Sequence, residues 1–235
     1  MVKKVKWDPG HGGSDPGAVG NALLEKVLTH KIVGYAMDYL EANFTGFTQS
    51  TTRGGDQTLS LTQRTDQANK EGADVFVSVH INAGGGKGFE SFIYNGSISS
   101  ATQAFQNTLH AEVMAAMRKD GVTSDRGKKR ANFAVLRQTK MVACLTENLF
   151  IDTSDANFLK KEAFLKAVGE AHARGVAKFL GLPVKKSKPA APKTSSSTTG
   201  SLYKVQVGAF AERANADRLA AELKAKGYPV HIVKQ

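Results

Sequence analysis

Apolar positions along this chain recur with two different periods. "VKKVKW" (residues 2–7) alternates apolar and polar residues, which predicts a strand with one wet face. In "EKVLTHKIVGYAMDYLEANF" (25–44), Val27, Leu28, Ile32, Tyr35, Ala36, Tyr39 and Leu40 recur at three- and four-residue steps, the stripe of an amphipathic helix. "LSLTQRTDQANKEG" (59–72) repeats that stripe and ends at Gly72, a helix stop. "ADVFVSVHINA" (73–83) is a nearly continuous β-branched run, the pattern of a strand buried on both faces. "GFESFIY" (88–94), "NFAVLR" (132–137) and "VACLTENLF" (142–150) are predicted as further strands, and residues 101–121 and 162–181 as helices. Such alternation predicts an α/β fold: a three-layer, twisted, mainly parallel sheet with helices on both faces.

The pattern breaks once. "LPVKKSKPAAPKTSSSTTGS" (182–201) is rich in Pro, Ser, Thr and Lys and reads as an extended basic linker. The expected organisation is therefore a domain over 1–181, a linker over 182–201 and a small unit over 202–235. In that last unit "YKVQVGAF", a helix from Glu212 to Lys226 and "YPVHIVK" predict a β-α-β remnant, with His231 a plain strand residue. Two strands and a helix bury little apolar surface, so a truncated module, or one that pairs with another copy, is expected.

Composition narrows the class. The 235 residues are 41% hydrophobic and 23% charged, as in ordinary globular proteins. No apolar run approaches the roughly 18 residues that span a bilayer, and "MVKKVKWDPGHGG" lacks the apolar core of a signal peptide. The single cysteine, Cys144, excludes an internal disulfide and a Cys-rich metal site; its apolar surroundings predict a packed, inert thiol. Residues 1–182 hold 22 Lys+Arg against 18 Asp+Glu, a net +4, whereas residues 183–235 hold 10 against 3, a net +7. The excess suits a polyanionic partner such as nucleic acid, acidic lipid or a phosphate-rich wall polymer.

Candidate chemistry gathers where α/β sheets collect ligands, outside the carboxyl ends of strands. His11 follows the first strand in "WDPGHGG", His80 closes "DVFVSVH" and Glu147 closes "VACLTE". Glu25 opens the first helix. Two histidines and a carboxylate form a familiar zinc set with an open position, and a further carboxylate serves such hydrolases as proton acceptor. Singly each has an ordinary reading: turn histidine, helix-capping glutamate, core histidine. Glu147 is the anomaly, since a carboxylate in an apolar strand needs a partner or a cation. Glu90 is the other carboxylate on a predicted strand. His30, His110 and His172 lie on helices, where solvated or core-edge roles are expected, and "DRGKKRANF" (125–133) reads as a solvated basic loop.

"DPGHGGSDPGAVG", "LLEKVLTHKI", "LTQRTDQANKEGADVFVSVHINA" and "LTENLFIDTSDANFL" resemble, in order, the zinc-dependent N-acetylmuramoyl-L-alanine amidases of the Amidase_3 family. The resemblance implies one Zn2+ per chain on His11, Glu25 and His80, with Glu147 as catalytic acid/base; substrate-binding residues stay unassigned. It implies cleavage between N-acetylmuramic acid and L-alanine of peptidoglycan, as in mother-cell lysis or a prophage lysin. Many members read Glu-Thr-Gly-Phe where this chain reads Glu147-Asn148-Leu149-Phe150, which puts the following turn in question. Arg64 matches a position the family usually fills with Arg, and a structural ion pair is expected for it. The tail resembles the first half of a SPOR domain, a peptidoglycan-binding module. The implied partners are peptidoglycan and its anionic polymers, without nucleic acid or membrane, for a monomer acting at the cell wall without a recognisable signal peptide.

The rivals are a zinc peptidase acting within stem peptides, a catalytically silent peptidoglycan-binding protein, and a nucleic-acid-binding protein. The last lacks the aromatic-interleaved basic strands of an RNA-binding sheet.

Overall fold

The computed structural model describes residues 2–185, 208, 210–225, 230 and 232. The chain divides into two compact units, Met1–Ser187 and Lys188–Gln235. In the first, β1 (Lys3–Pro9) leads to a hairpin, β2 (Val19–Gly20) and β3 (Leu23–Leu24), and then to α1 (Glu25–Asn43). There follow β4 (Phe47–Thr51), α2 (Leu61–Glu71), β5 (Val75–Asn82), β6 (Phe89–Tyr94), α3 (Ser100–Lys119), β7 (Asp125–Ala131), α4 (Ala134–Arg137), β8 (Val142–Phe150), α5 (Ala156–Leu159) and α6 (Glu162–Leu180). In the second unit α7 spans Arg213–Ala225, close to the helix expected there, and both expected flanking strands lie mostly outside the described residues.

One six-stranded sheet runs β4-β1-β5-β8-β6-β7. All its pairs are parallel except β8 with β6. Its two faces carry separate cores. Val75, Val77, Val79 and Ile81 of β5 pack against apolar residues of α1, α3 and α6. Phe76, Ala143 and Leu145 face the other way, onto Ala68 of α2 and Val135 and Leu136 of α4. This is the three-layer, mainly parallel α/β arrangement that the alternation predicts.

Several local expectations are corrected. "NFAVLR" contains a helical turn, α4, rather than a strand, because Val135 and Leu136 turn together onto the second core. The basic stretch from Asp125 is a strand, not a loop. It forms the sheet edge, where lysines are tolerated because one side pairs and the other meets water. β4 has no apolar alternation and went unpredicted; pairing with β1 makes it a strand. The wet face of β1 is covered at Lys6, which is 1% exposed and donates to Glu71 Oε1 of α2 at 2.6 Å.

His110 and His172 are buried, against the solvated or core-edge reading. Cys144 is fully buried, and burial pushes its thiol pKa up, so it is inert as expected. His172 Nδ1 donates to the Val168 carbonyl at 2.8 Å, and Nε2 lies 3.0 Å from the Thr146 hydroxyl, beneath β8. Burial pushes this imidazole down from 6.5 to about 4, so the folded state keeps it neutral. The unfolded chain takes up a proton below pH 6.5, which the folded chain refuses until pH 4. The stabilisation is therefore complete above pH 6.5 and lost as pH falls, by about 3 kcal/mol in all. Denaturant unfolding of a His172→Gln variant is expected to show a flatter decline across this window. An identical slope would assign the acid sensitivity to other groups.

Candidate active site

β1, β5 and β8 are parallel, so their carboxyl ends meet at one edge. His80 pairs with Glu147, and Glu147 with Glu90, forming one row across β5, β8 and β6. Pro9 pairs with Val79, which brings Gly10 beside His80. A Cβ on Gly10 would run into the His80 ring, so the glycine leaves that ring its space. Gly17, at φ +64°, does the same for His11 and Glu25 while taking a left-handed turn.

His11, Glu25 and His80 converge. One ligand atom from each lies within 4.8 Å of the others. Glu25 Oε2 is 3.2 Å from His11 Nε2, and Oε1 is 3.0 Å from His80 Nδ1. The same carboxylate accepts the backbone N–H groups of Ala18 and Ile81 at 2.8 and 2.9 Å. Burial opposes its ionisation, but these donors and the two imidazoles win, and the pKa is held far below the carboxylate range. His11 loses basicity to burial and regains more from Glu25 and Asp15, ending at about 9. Asp15 Oδ2, 2.8 Å from His11 Nδ1, holds the ring so that Nε2 faces Glu25. A donor set of two imidazoles and one carboxylate suits zinc, and a cation would replace the protons that these groups now share.

The backbone of His11 is itself constrained. It sits at φ +61°, a left-handed conformation that histidine adopts more readily than branched residues. Arg64 donates to Asp8 Oδ1 at 2.8 Å and to the carbonyls of Pro9 and His11 at 2.9 and 2.7 Å, so the expected structural ion pair is present and extends onto the ligand loop. Arg53 donates to the carbonyls of Pro9, Gly10 and Lys26, tying the His11 loop to the first turn of α1. Neither Asp15 nor Arg53 was marked by sequence reasoning. Asp15 offers the signal of a carboxylate four residues from His11; Arg53 offers none.

Glu147 is half-buried, and its buried Oε2 has no hydrogen-bond partner among the described residues. Burial pushes its pKa up to about 7; His80 pulls it down, while Glu25 and Glu90 push it further up. Leu149 follows at φ +71°, so the chain takes the left-handed turn in the position where the family's Gly stands. Glu90 is engaged otherwise. It accepts from Asn82 Nδ2 at 2.7 Å, from Arg126 Nε at 3.0 Å and from Lys129 Nζ, which hold its pKa down against burial. The loop after β5, "GGGKG" (84–88), is tied to Asp152, which accepts the N–H groups of Gly84 and Gly85. Ser91, His110 and Asp125 are linked in the order of a nucleophile, base and orienting acid, yet Ser91 is 0% exposed and reaches no substrate.

The fold and this constellation define a class. Residues 5–178 match the N-acetylmuramoyl-L-alanine amidase family, Amidase_3, and the chain belongs to it. It is a peptidoglycan amidase, cutting between N-acetylmuramic acid and L-alanine. Residues 199–235 match the SPOR domain, a peptidoglycan-binding module. Among particular proteins, a sporulation-specific N-acetylmuramoyl-L-alanine amidase of Bacillus subtilis is 48% identical over 226 residues, covering 96% of this chain and 82% of the relative. An endolysin of Bacillus phage SPP1 is 46% identical over 82% of this chain and 71% of its own. The solved catalytic domain of CwlV, an amidase of Bacillus (Paenibacillus) polymyxa var. colistinus, superposes with a TM-score of 0.70 at 32% identity, over 77% of this chain and 99% of that one. No helix among the described residues is long and apolar enough to cross a membrane.

Two glycines give opposite expectations. In Gly10→Ala the added methyl meets the rigid His80 ring, and overpacking of this kind costs about 1–3 kcal/mol. Gly34, within α1, has nothing within 4 Å of an added Cβ, so Gly34→Ala is expected to stabilise by about 0.4–1 kcal/mol. Denaturant unfolding of the pair checks both, and equal effects of one sign would contradict the space assigned to His80.

Proposed function

We propose that His11, Glu25 and His80 hold one zinc ion per chain and that Glu147 is the acid/base of the amidase reaction. The observation carrying this reading is the meeting of three ligand atoms within 4.8 Å beside a buried carboxylate oxygen with no hydrogen-bond partner among the described residues. A bound zinc supplies Lewis-acid polarisation of a carbonyl and makes water more acidic. Glu147, one strand over from His80, accepts the proton of the attacking water as its oxygen adds to the lactyl carbonyl carbon. When the C–N bond breaks, Glu147 returns that proton to the leaving amine of L-alanine. A pKa raised to about 7 suits both halves of this exchange. Asp15 keeps His11 oriented, and the Arg53 and Arg64 contacts keep its backbone from relaxing.

The remaining parts fit a lytic enzyme: a catalytic domain over 1–181, a basic linker over 182–201 and a wall-binding unit over 202–235. The net +7 of residues 183–235 favours association with anionic wall polymers alongside peptidoglycan. Similarity to a sporulation-specific Bacillus amidase and to a phage endolysin supports lysis of the cell wall, in mother-cell release or phage escape, as the biological role.

Two variants separate the roles. His80→Ala is expected to abolish stoichiometric zinc in metal analysis of the purified protein; one zinc per chain in that variant would overturn the ligand set. Glu147→Gln is nearly isosteric and is expected to keep fold and zinc while losing on the order of 10²–10⁴-fold in turnover on soluble muropeptides. A loss of only a few-fold would make Glu147 a bystander.

A further inference from the structure

We infer that Arg126 is a specificity residue of this reaction, receiving the free carboxylate of the acidic second residue of the peptidoglycan stem peptide. The inference rests on the amidase reading above. It begins from the row across the sheet. His80, Glu147 and Glu90 stand side by side on β5, β8 and β6, and Gly127 of β7 pairs with Glu90. Arg126, one residue before Gly127, reaches this row through its contact with Glu90, two strands from the candidate acid/base. It is anchored from two sides. Its Nε donates to Glu90 Oε2 at 3.0 Å, and its guanidinium carbon lies 4.9 Å from the centre of the Phe150 ring. Phe150 is three residues beyond Glu147 on β8.

These anchors leave the two terminal nitrogens without a hydrogen-bond partner among the described residues. The side chain is 35% exposed, so they are open to a ligand while the fork is held in place. Such a fork matches a carboxylate in bidentate geometry. The charge balance points the same way. Glu90 carries one negative charge and is paired with both Arg126 and Lys129, which leaves one positive charge over at the rim. An acidic group on the substrate is thus favoured on the β7 side.

The spacing agrees. Two strand separations, about 9.6 Å, lie between His80 and Glu90. Under this inference the scissile amide sits between His80 and Glu147, with the stem running towards β6 and β7. Its second residue stands one Cα step, about 3.8 Å, beyond the alanine. A carboxylate there comes within reach of a guanidinium that leans back from β7 onto Glu90 and Phe150.

The test compares two soluble substrates, N-acetylmuramoyl-L-alanyl-D-isoglutamate and its isoglutamine amide, which differ in that one group. The parent protein is expected to favour the acid in kcat/KM by roughly 10- to 100-fold, the range of hydrogen bonds to charged groups. Most of the difference should lie in KM. Arg126→Met is expected to bring the ratio to within about twofold of unity. Arg126→Lys keeps the charge but loses the fork, and should fall between. Arg130→Met, on the same strand but turned towards Gln103 of α3, should keep the parent ratio and so excludes a general charge effect. A parent ratio near one, or a parent-like ratio in Arg126→Met and Arg126→Lys, overturns the inference alone. Cleavage of neither substrate by the parent protein would remove the amidase reading, and this inference with it.

Discussion

The Glu25 carboxylate is the contact on which the rest of the site hangs. It is buried at the first residue of α1, where the helix dipole favours negative charge. A charge removed from water must be compensated, and four groups do so: the N–H of Ala18, the N–H of Ile81, and the imidazoles of His11 and His80. They come from two stretches away from α1, so satisfying one carboxylate fixes the loop after β1, the end of β5 and the start of α1 together. The left-handed His11, the space kept by Gly10 and Gly17, and the clamp of Arg53 and Arg64 on nearby carbonyls all serve that convergence.

The neighbouring row makes a second point about environment. Glu147 and Glu90 are the same residue type on adjacent strands and face each other across the pairing. Glu90 is surrounded by Asn82, Arg126 and Lys129 and stays ionised. Glu147 has a buried oxygen with no hydrogen-bond partner among the described residues, and burial raises its pKa to about 7. Two carboxylates driven apart by their surroundings take different tasks, one holding cations at the rim and the other suited to proton transfer.

Much of this is legible in the order of residues along the chain. The long helices α1, α3 and α6 carry apolar stripes, and β5 and β8 carry runs that suit a sheet covered on both sides. Strand ends holding His80 and Glu147 follow from those runs. What escaped notice were elements whose pattern is weak or masked. β4, "FTQST", has almost no apolar content, and β7 carries four cations in seven residues. Both are edge strands, and an edge needs only one partner. α4 was misread because four apolar or aromatic residues in a row have no period long enough to choose between strand and helix.

The sequence by itself determined the layered α/β class, the division between an apolar-patterned domain and a basic tail, and which residue types stand at strand ends and the helix start. These are local properties, set by periodicity, composition and the few residues that break them. Tertiary structure alone decided the rest. Asp15 and Arg53 act on His11 through contacts that depend on where loops fold back. Arg126 meets Glu90 across 36 residues of chain, and Glu25 meets His80 across 55. No local pattern encodes such distances, because hydrogen bonds and charge pairs act through space, and sheet register chooses which residues share it.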